Sequence, residues 1–439
     1  MNEQIIVIGG GLAGVEAAWT AANLGANVTL FEMKGERFSP AHHSMDLAEL
    51  VCSNSLKAKR LASAAGLMKE EMRRMGSLCV RCAEQCEVPA GGALAVDRDA
   101  FSRLVTEKIT AHPNITLVRK EVTEIPDVPC IIAAGPLASD AISAKISELC
   151  GSGLSFFDAA APIVTKESLD PDHYFTASRY DRGGEDDYLN CPMNKEEYEA
   201  FYEALISAES APLHSFDRRK DVYEGCMPIE VMASRGKDTI RYGPLKPVGL
   251  RDPKTGHRPW AVLQLRRETK EGDLLNLVGF QTNLKFSEQK RVFSMIPALK
   301  NAEFMRYGVM HRNTFLDAPR HLCADYSLKT RPDLFFAGQI TGVEGYMESA
   351  QSGILAGANL VRRLRGQSTL VLPQTTIMGA LAHYISDESV KDFQPMGANF
   401  GVLPPIEPHI RDKKARYEAL SVRSLQDLAT YLEQEGWHV

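Results

Sequence analysis

The sequence has no long apolar run. None of its hydrophobic stretches approaches the roughly 20 residues that a membrane-spanning helix needs, so neither a span nor a membrane partner is expected. It has no excess of positive charge: 50 Lys and Arg against 56 Asp and Glu leave a formal net charge of −6. That excludes binding of nucleic acid over the whole surface, although a local basic groove remains open to it. The start, MNEQIIVIGG, lacks the basic head and cleavage site of a signal peptide, which points to a cytoplasmic protein. No repeat and no low-complexity segment interrupts the chain. Cysteine is too sparse for a disulfide framework. Nine of them, an odd number, are scattered over 439 residues and read as reduced thiols. The length suggests two or three domains, and a 44% hydrophobic fraction suffices for full cores.

What is present begins at Ile5–Ile8, a short apolar run suited to a buried parallel strand. It enters GGGLAG (Gly9, Gly10, Gly11, Leu12, Ala13, Gly14), which contains G-x-G-x-x-G, followed by the helical stretch VEAAWTAANLG and a second strand, NVTLFE. Such glycines permit a tight turn and let a pyrophosphate approach the helix N-terminus. Glu32 lies 18 positions after Gly14, where an acidic residue holds the ribose hydroxyls of an adenosine. The glycine pattern alone is weak; strand, loop, helix, strand and terminal acid together are specific. The context recurs late. Leu334–Ala337 read as a strand entering Gly338, and the loop Gly342–Gly345 opens a long amphipathic helix beginning at Tyr346. A second helix N-terminus aimed at a cofactor suits FAD better than a nicotinamide, in the manner of glutathione-reductase-type enzymes.

The expected fold class is therefore α/β: a glutathione-reductase-type split FAD-binding domain with an inserted α+β domain. The expected division is residues 1–165 and 326–439 for the two halves of the FAD domain, the latter with a helical tail, and 166–325 for the insertion. Within the insertion, NKEEYEAFYEALISAES reads as a helix, and DTIRYGPL, AVLQLRRE and LLNLVGF read as strands. RDPKTGHRP, residues 251–259, reads as a hairpin loop. Arg241, Lys246 and Arg266 are candidates to hold an anionic group, with a solvated surface role at least as open. The basic clusters Lys57–Lys59–Arg60, Arg218–Arg219–Lys220 and Lys413–Lys414–Arg416 are candidate backbone contacts on the same terms.

Two kinds of cysteine stand out. Met68, Met72, Met75, Cys79, Cys82 and Cys86 alternate steps of four and three, the stripe of one helix facing a core. No fourth ligand stands nearby at zinc spacing, so no metal is expected. Cys52, after the strand-like AELV and before Ser53-Asn54-Ser55, sits in a loop or at a helix cap, where a thiol pKa falls. Cys226, in VYEGCMPIEV, lies in a turn. On the residues alone, either is more often filler than nucleophile.

The stretches PAHHSMDLAELVCSNSL, GLMKEEMRRMGSL, VPAGGALAVDRDAFS, YLNCPMNKEEY, YGPLKPVGLRDPKTG, VGFQTNLKFSEQKRVF and YGVMHRNTFLDAP together resemble the folate- and flavin-dependent tRNA uracil-5-methyltransferases. The resemblance runs from GGGLAGVEAAW to GANFGVLPP. It implies FAD, 5,10-methylenetetrahydrofolate as carbon donor, NADPH or NADH as reductant, and tRNA as partner, modified at uridine 54 of the T-loop. It makes Cys226 and Cys52 the catalytic pair, with Cys226 expected to add to uracil C6 and Cys52 to help in proton transfer. Tyr346 becomes a candidate to stack on flavin or pterin. Ribosomal RNA is the alternative substrate. A flavin-dependent thiol or small-molecule oxidoreductase, using Cys79 and Cys82, is the alternative chemistry. No motif addresses the oligomeric state.

Overall fold

The computed structural model describes residues 3–39, 41–151, 154–181, 187–211, 227–308, 310–391 and 393–437. The apolar run at the start forms the strand Gln4–Ile8, which lies near the middle of a six-stranded sheet. In order across it run Ser327–Leu328, Arg331–Phe336, Cys130–Ile132, Gln4–Ile8, Asn27–Glu32 and Ile115–Arg119. All pairings but that of the Ser327–Leu328 edge are parallel. Strands buried on both faces need apolar side chains on both. Val7, Leu30, Ile131, Phe335 and Phe336 are accordingly sealed from water, each contributing about 1.5–3 kcal/mol of transfer energy.

Helix Leu12–Asn23 follows the first strand and ends before Gly25, whose φ of +90° favours glycine. The late helix Tyr346–Leu364 packs directly on it. A Cβ at Gly353 or Gly357 would lie 2.0 Å and 2.5 Å from the carbonyl oxygens of Ala13 and Ala17, so two bare backbones permit the close crossing. The two ends of the sequence thus share one hydrophobic core, drawn from residues 5–150 and 315–432.

A second core, residues 164–302, lies beneath an all-antiparallel sheet of six strands. Its centre is Ala261–Arg267, paired with Tyr188–Met193 on one side and Leu274–Leu277 on the other. The strands Leu154–Ala159 and Met310–Phe315 pair antiparallel where the chain leaves the first core and returns to it. The expected α/β architecture with an insertion is the one observed. Among the described residues no helix is long and apolar enough to cross a membrane.

Four local expectations are corrected. DTIRYGPL is a helical turn, Thr239–Tyr242, and not a strand: Tyr242 N–H closes on the Asp238 carbonyl at 3.0 Å while Ile240 is buried. Residues 251–259 consequently form a turn leading into a strand with no strand before it, so they do not join a hairpin. AELV is irregular, with Ala48 at φ +52°, and the segment after Cys52 becomes the strand Ser55–Ala58. No helix N-terminus lies at Cys52. The methionine–cysteine stripe is buried throughout, but on two helices, Ala64–Arg74 and Leu78–Gln85. Gly76, at φ +86°, ends the first, and Ser77 caps the second by accepting from Val80 N–H at 3.1 Å. The buried carboxylate of Glu16 accepts from Leu78 and Cys79 N–H at 3.1 and 2.9 Å, a further reason for the second helix to start there.

Candidate active site: a glycine-lined cleft beside the Cys52 loop

The first strand delivers Gly9–Ala13 to the rim of a cleft with an open volume of about 1050 Å³. Glu32, at the end of the neighbouring strand, lines it too. Its carboxylate accepts from Gly10 N–H at 2.7 Å and Lys34 N–H at 2.9 Å, which fixes it at the floor. Gly338 and Tyr346 line the same cleft from the late segment, so the two ends of the chain converge as expected. Gly345, the N-cap of the late helix, is placed beside it by sequence.

Whether these residues suit an extended dinucleotide is tested by two features. A Cβ built on Gly11 meets nothing within 4 Å, so the loop presents bare backbone to open space. One on Gly14 would fall 1.7 Å from the Gly9 carbonyl, so the helix start is drawn tightly against the strand. Gly11 carries no side-chain cap, which leaves first-turn N–H groups of the first helix for an anionic ligand. The residues fit FAD.

Cys52 is half-buried at the end of this region. Its Sγ lies 2.9 Å from the Tyr346 hydroxyl, which also accepts from the N–H groups of Cys52 and Ser53 at 2.8 and 3.2 Å. Burial, reinforced by Cys52, pushes the Tyr346 phenol well above its usual range, so it stays protonated. Arg98 donates to the Leu50 carbonyl at 2.9 Å and grips Glu268 with Nε at 2.6 Å. Arg306 donates to the Val51 carbonyl at 2.6 Å. Arg266 donates to Asn54 Oδ1 at 2.9 Å and Ser53 Oγ at 3.0 Å. Residues 50–54 are therefore held from three sides by guanidinium groups. Burial lowers the pKa of Arg266 and Arg306, whereas at Arg98 the Glu268 carboxylate outweighs burial and holds it up. Behind Tyr346, the buried Glu348 carboxylate pairs with Lys57 at 2.5 Å, and Lys69 donates to the Leu56 and Ala65 carbonyls at 2.7 and 2.9 Å. Burial brings the Lys69 pKa down to about 8.

Of the residues singled out in the sequence, Gly9–Ala13, Glu32, Gly338 and Tyr346 line the cleft; Gly14 packs behind Gly9, Cys52 is bonded to Tyr346, and Gly345 faces Glu348 and Lys57 outside the lining. Cys226 and the cluster Arg218–Arg219–Lys220 lie outside the described residues. Arg266 is buried beneath the Cys52 loop and so cannot be a solvated charge. Arg241 lies 3.8 Å over the Trp260 ring, far along the same strand, and Lys246 is exposed. Sequence reasoning missed Arg98, Arg306 and Glu268. All three lie in or beside stretches quoted above, yet no local pattern distinguishes them from surface charge. Cys79 and Cys82 are sealed in the core and do not line the cleft. Among the described residues no group of three or more His, Cys, Asp or Glu is placed to hold a metal ion.

A family model described as glucose inhibited division protein A matches residues 4–368. The chain is 56% identical over 429 residues to the methylenetetrahydrofolate–tRNA-(uracil-5-)-methyltransferase TrmFO of Lactiplantibacillus plantarum, covering 98% of this chain and 97% of that one. The chain belongs to the TrmFO methyltransferase family. It is equally similar to the TrmFO protein of Acetivibrio thermocellus, at 56% identity over 436 residues, 99% of this chain and 100% of that one. Among solved structures, GidA of Aquifex aeolicus superposes with a TM-score of 0.70 at 16% identity, covering 98% of this chain and 73% of that one. That likeness is one of fold, and it spans nearly the whole chain.

Proposed function

We propose that the protein methylates C5 of a uracil in tRNA, uridine 54 of the T-loop, with methylenetetrahydrofolate as carbon donor, FAD as bound cofactor and NADPH or NADH as reductant. The observation that carries this reading is the hydrogen bond between Cys52 and Tyr346. It joins a thiol to a residue lining a dinucleotide cleft, in a chain 56% identical to enzymes named for this reaction. A cytoplasmic location belongs to the same reading, since the substrate is tRNA. So does a division into a split FAD domain and an insertion; the two separate cores favour it, with the return to the first core already made at Phe315–Leu322, ahead of 325/326.

C5 of uracil is a weak nucleophile, and a thiolate adding at C6 places an electron pair on it. Cys226 takes that role, forming the S–C6 bond. C5 then bonds to the folate-borne carbon, Cys52 accepts the C5 proton and tetrahydrofolate departs, leaving an exocyclic methylene; hydride addition there restores the C5=C6 bond and expels the Cys226 thiolate from C6. The carbon arrives at the formaldehyde level, so a hydride must complete the methyl group, which is the chemistry that reduced FAD would supply when bound. Arg98 and Arg306, both within electrostatic range of Cys52, favour negative charge at that loop. Glu32 and Gly11 hold the adenosine and pyrophosphate end of the cofactor, and Gly338, Gly345 and Tyr346 the flavin end.

Methylenetetrahydrofolate labelled in its methylene, with NADPH and unmodified tRNA, should place label in 5-methyluridine. Methylation with S-adenosylmethionine alone, no folate and oxidised flavin would end the reading. RNA containing 5-fluorouracil should trap a covalent adduct that Cys226→Ala does not form. An adduct lost in Cys52→Ala and kept in Cys226→Ala would reverse the two roles. Gly11→Val should lose FAD, because its side chain occupies the open space over the loop; full occupancy would displace the cofactor from this cleft.

A further inference from the structure

The bond between Cys52 and Tyr346 is not the only tie between their two segments. Lys57 follows Cys52 on the strand Ser55–Ala58, and Glu348 follows Tyr346 in the first turn of the late helix. Lys57 Nζ meets Glu348 Oε1 at 2.5 Å and donates to the Glu344 carbonyl at 3.3 Å.

Two features of this second tie run against stability. Lys57 has a φ of +63°, a left-handed conformation that side chains rarely adopt, within a strand. Glu348 is sealed from water, yet its Oε2 has no hydrogen-bond partner among the described residues. A buried carboxylate with one cation stabilises a fold no better than a well-packed apolar pair of the same volume. What an ion pair adds is a fixed position. Here the position fixed is the start of the late helix. A Cβ on Gly345 would lie 2.1 Å from Glu348 Oε2, so the carboxylate folds back against the residue before Tyr346. Glu348 Oε1 also accepts from Ala398 N–H at 3.0 Å. Glu344 N–H donates to the Met396 carbonyl at 2.9 Å, and Met396 N–H to the Gly342 carbonyl at 2.9 Å. One carboxylate thus gathers residues 55–58, 342–348 and 396–398 around the base of Tyr346. Its charge suits a helix N-terminus as well.

Tyr346 needs such a fixed base because its hydroxyl serves three groups at once, Sγ and N–H of Cys52 and N–H of Ser53, at 2.9, 2.8 and 3.2 Å. A displacement of about 1 Å would break that set. We infer that Lys57 and Glu348 are positioning residues for the methyl transfer and act through Tyr346: their ion pair sets the helix start so that the phenol meets Cys52. Neither residue lines the cleft. The inference rests on the proposed methylation and adds the pair that keeps its thiol and phenol in register.

The test is a mutant cycle on the FAD-loaded enzyme: Lys57→Met, Tyr346→Phe and both together, with Lys57→Arg and Glu348→Gln alongside. Each is read as turnover of unmodified tRNA and as the rate at which iodoacetamide labels Cys52 at one pH. Lys57→Met should lower kcat about tenfold, leave KM for tRNA within about twofold of the parent, and change Cys52 labelling by about the same factor as Tyr346→Phe does. In the Tyr346→Phe background it should alter either rate by less than about twofold, because residues that act through one contact are not additive. Glu348→Gln should follow Lys57→Met. Lys57→Arg should recover most of the parent rate, since it restores the charge opposite Glu348. Flavin absorbance reports folding. If Lys57→Met sheds FAD because it leaves a buried carboxylate unpaired, Lys57→Met/Glu348→Gln removes both charges and carries the same comparison. A parent-like kcat in the charge-removed variants, full additivity with Tyr346→Phe, or a loss confined to KM would overturn the inference. An enzyme whose Cys52 labelling follows the cycle but which never methylates tRNA would instead remove the methyltransferase reading and leave the pair as the setter of the thiol–phenol contact.

Discussion

Cys52 and the trio Cys79, Cys82 and Cys86 are the same side chain in opposite surroundings. The trio is sealed among apolar side chains, and burial raises all three thiols, Cys82 to about 12. Cys52 is half-buried, bonded to a phenol and ringed by arginine-held backbone, beside a cleft that fits a flavin. A thiol reacts as its anion, and an apolar core withholds the solvation that an anion needs, whereas nearby guanidinium groups supply a substitute. The C-x-x-C spacing at Cys79 and Cys82 therefore carries packing, and the isolated Cys52 is the one to which we assign chemistry.

That contrast can be broken by exchange of side chains. Cys52→Ala should lower turnover by about 100-fold or more while FAD content and Tm stay near those of the parent. An active Cys52→Ala enzyme would make Cys52 another filler cysteine. Cys82→Ser should do the reverse. A hydroxyl in an apolar core without a partner costs about 1–3 kcal/mol, readable by urea denaturation, with turnover per folded molecule retained.

Tyr346→Phe sharpens the comparison by removing the partner and leaving the thiol. About tenfold lower turnover is expected, on the scale of one or two lost hydrogen bonds, with an altered pH profile. A proton network centred on Cys52 requires that alteration, and an unmoved profile would reduce Tyr346 to packing. Alkylation is the gentlest probe. Iodoacetamide should modify Cys52 in the folded enzyme and spare the trio. Raising the pH from 8 to 10 should not recruit Cys82, because its thiol stays protonated until about 12. Mapping of labelled peptides would show either outcome.

A subtler pH effect should come from Lys69. Its folded pKa of about 8 lies below the ordinary value of 10.5. Between those values the unfolded chain binds more protons than the native protein, so this group makes stability rise with pH from about 8 to 10.5 and lose that increment as pH falls through 8. Lys69→Met should remove that slope, measured by urea midpoints at pH 8 and 10.

The sequence by itself determined the elements whose signals are local. Short apolar runs and glycines mark Gln4–Ile8, Gly9–Gly14 and Asn27–Glu32 because a strand's burial pattern and a turn's φ depend on a few adjacent residues. The break at Gly76-Ser77 was equally local, a stop and a cap in the middle of an unbroken stripe, but the apolar periodicity ran through it and hid it. The turn at Thr239–Tyr242 differs, since its apolar and polar residues fit a strand until Ile240 finds a core and Arg241 finds Trp260. Only the tertiary structure decided the surroundings of Cys52. Tyr346 stands 294 residues away from it, and Arg98 meets Glu268 across 170 residues. A buried guanidinium is tolerated only where carbonyls and a carboxylate converge on it. That convergence belongs to the packing of the two sheets, and no stretch of chain contains it.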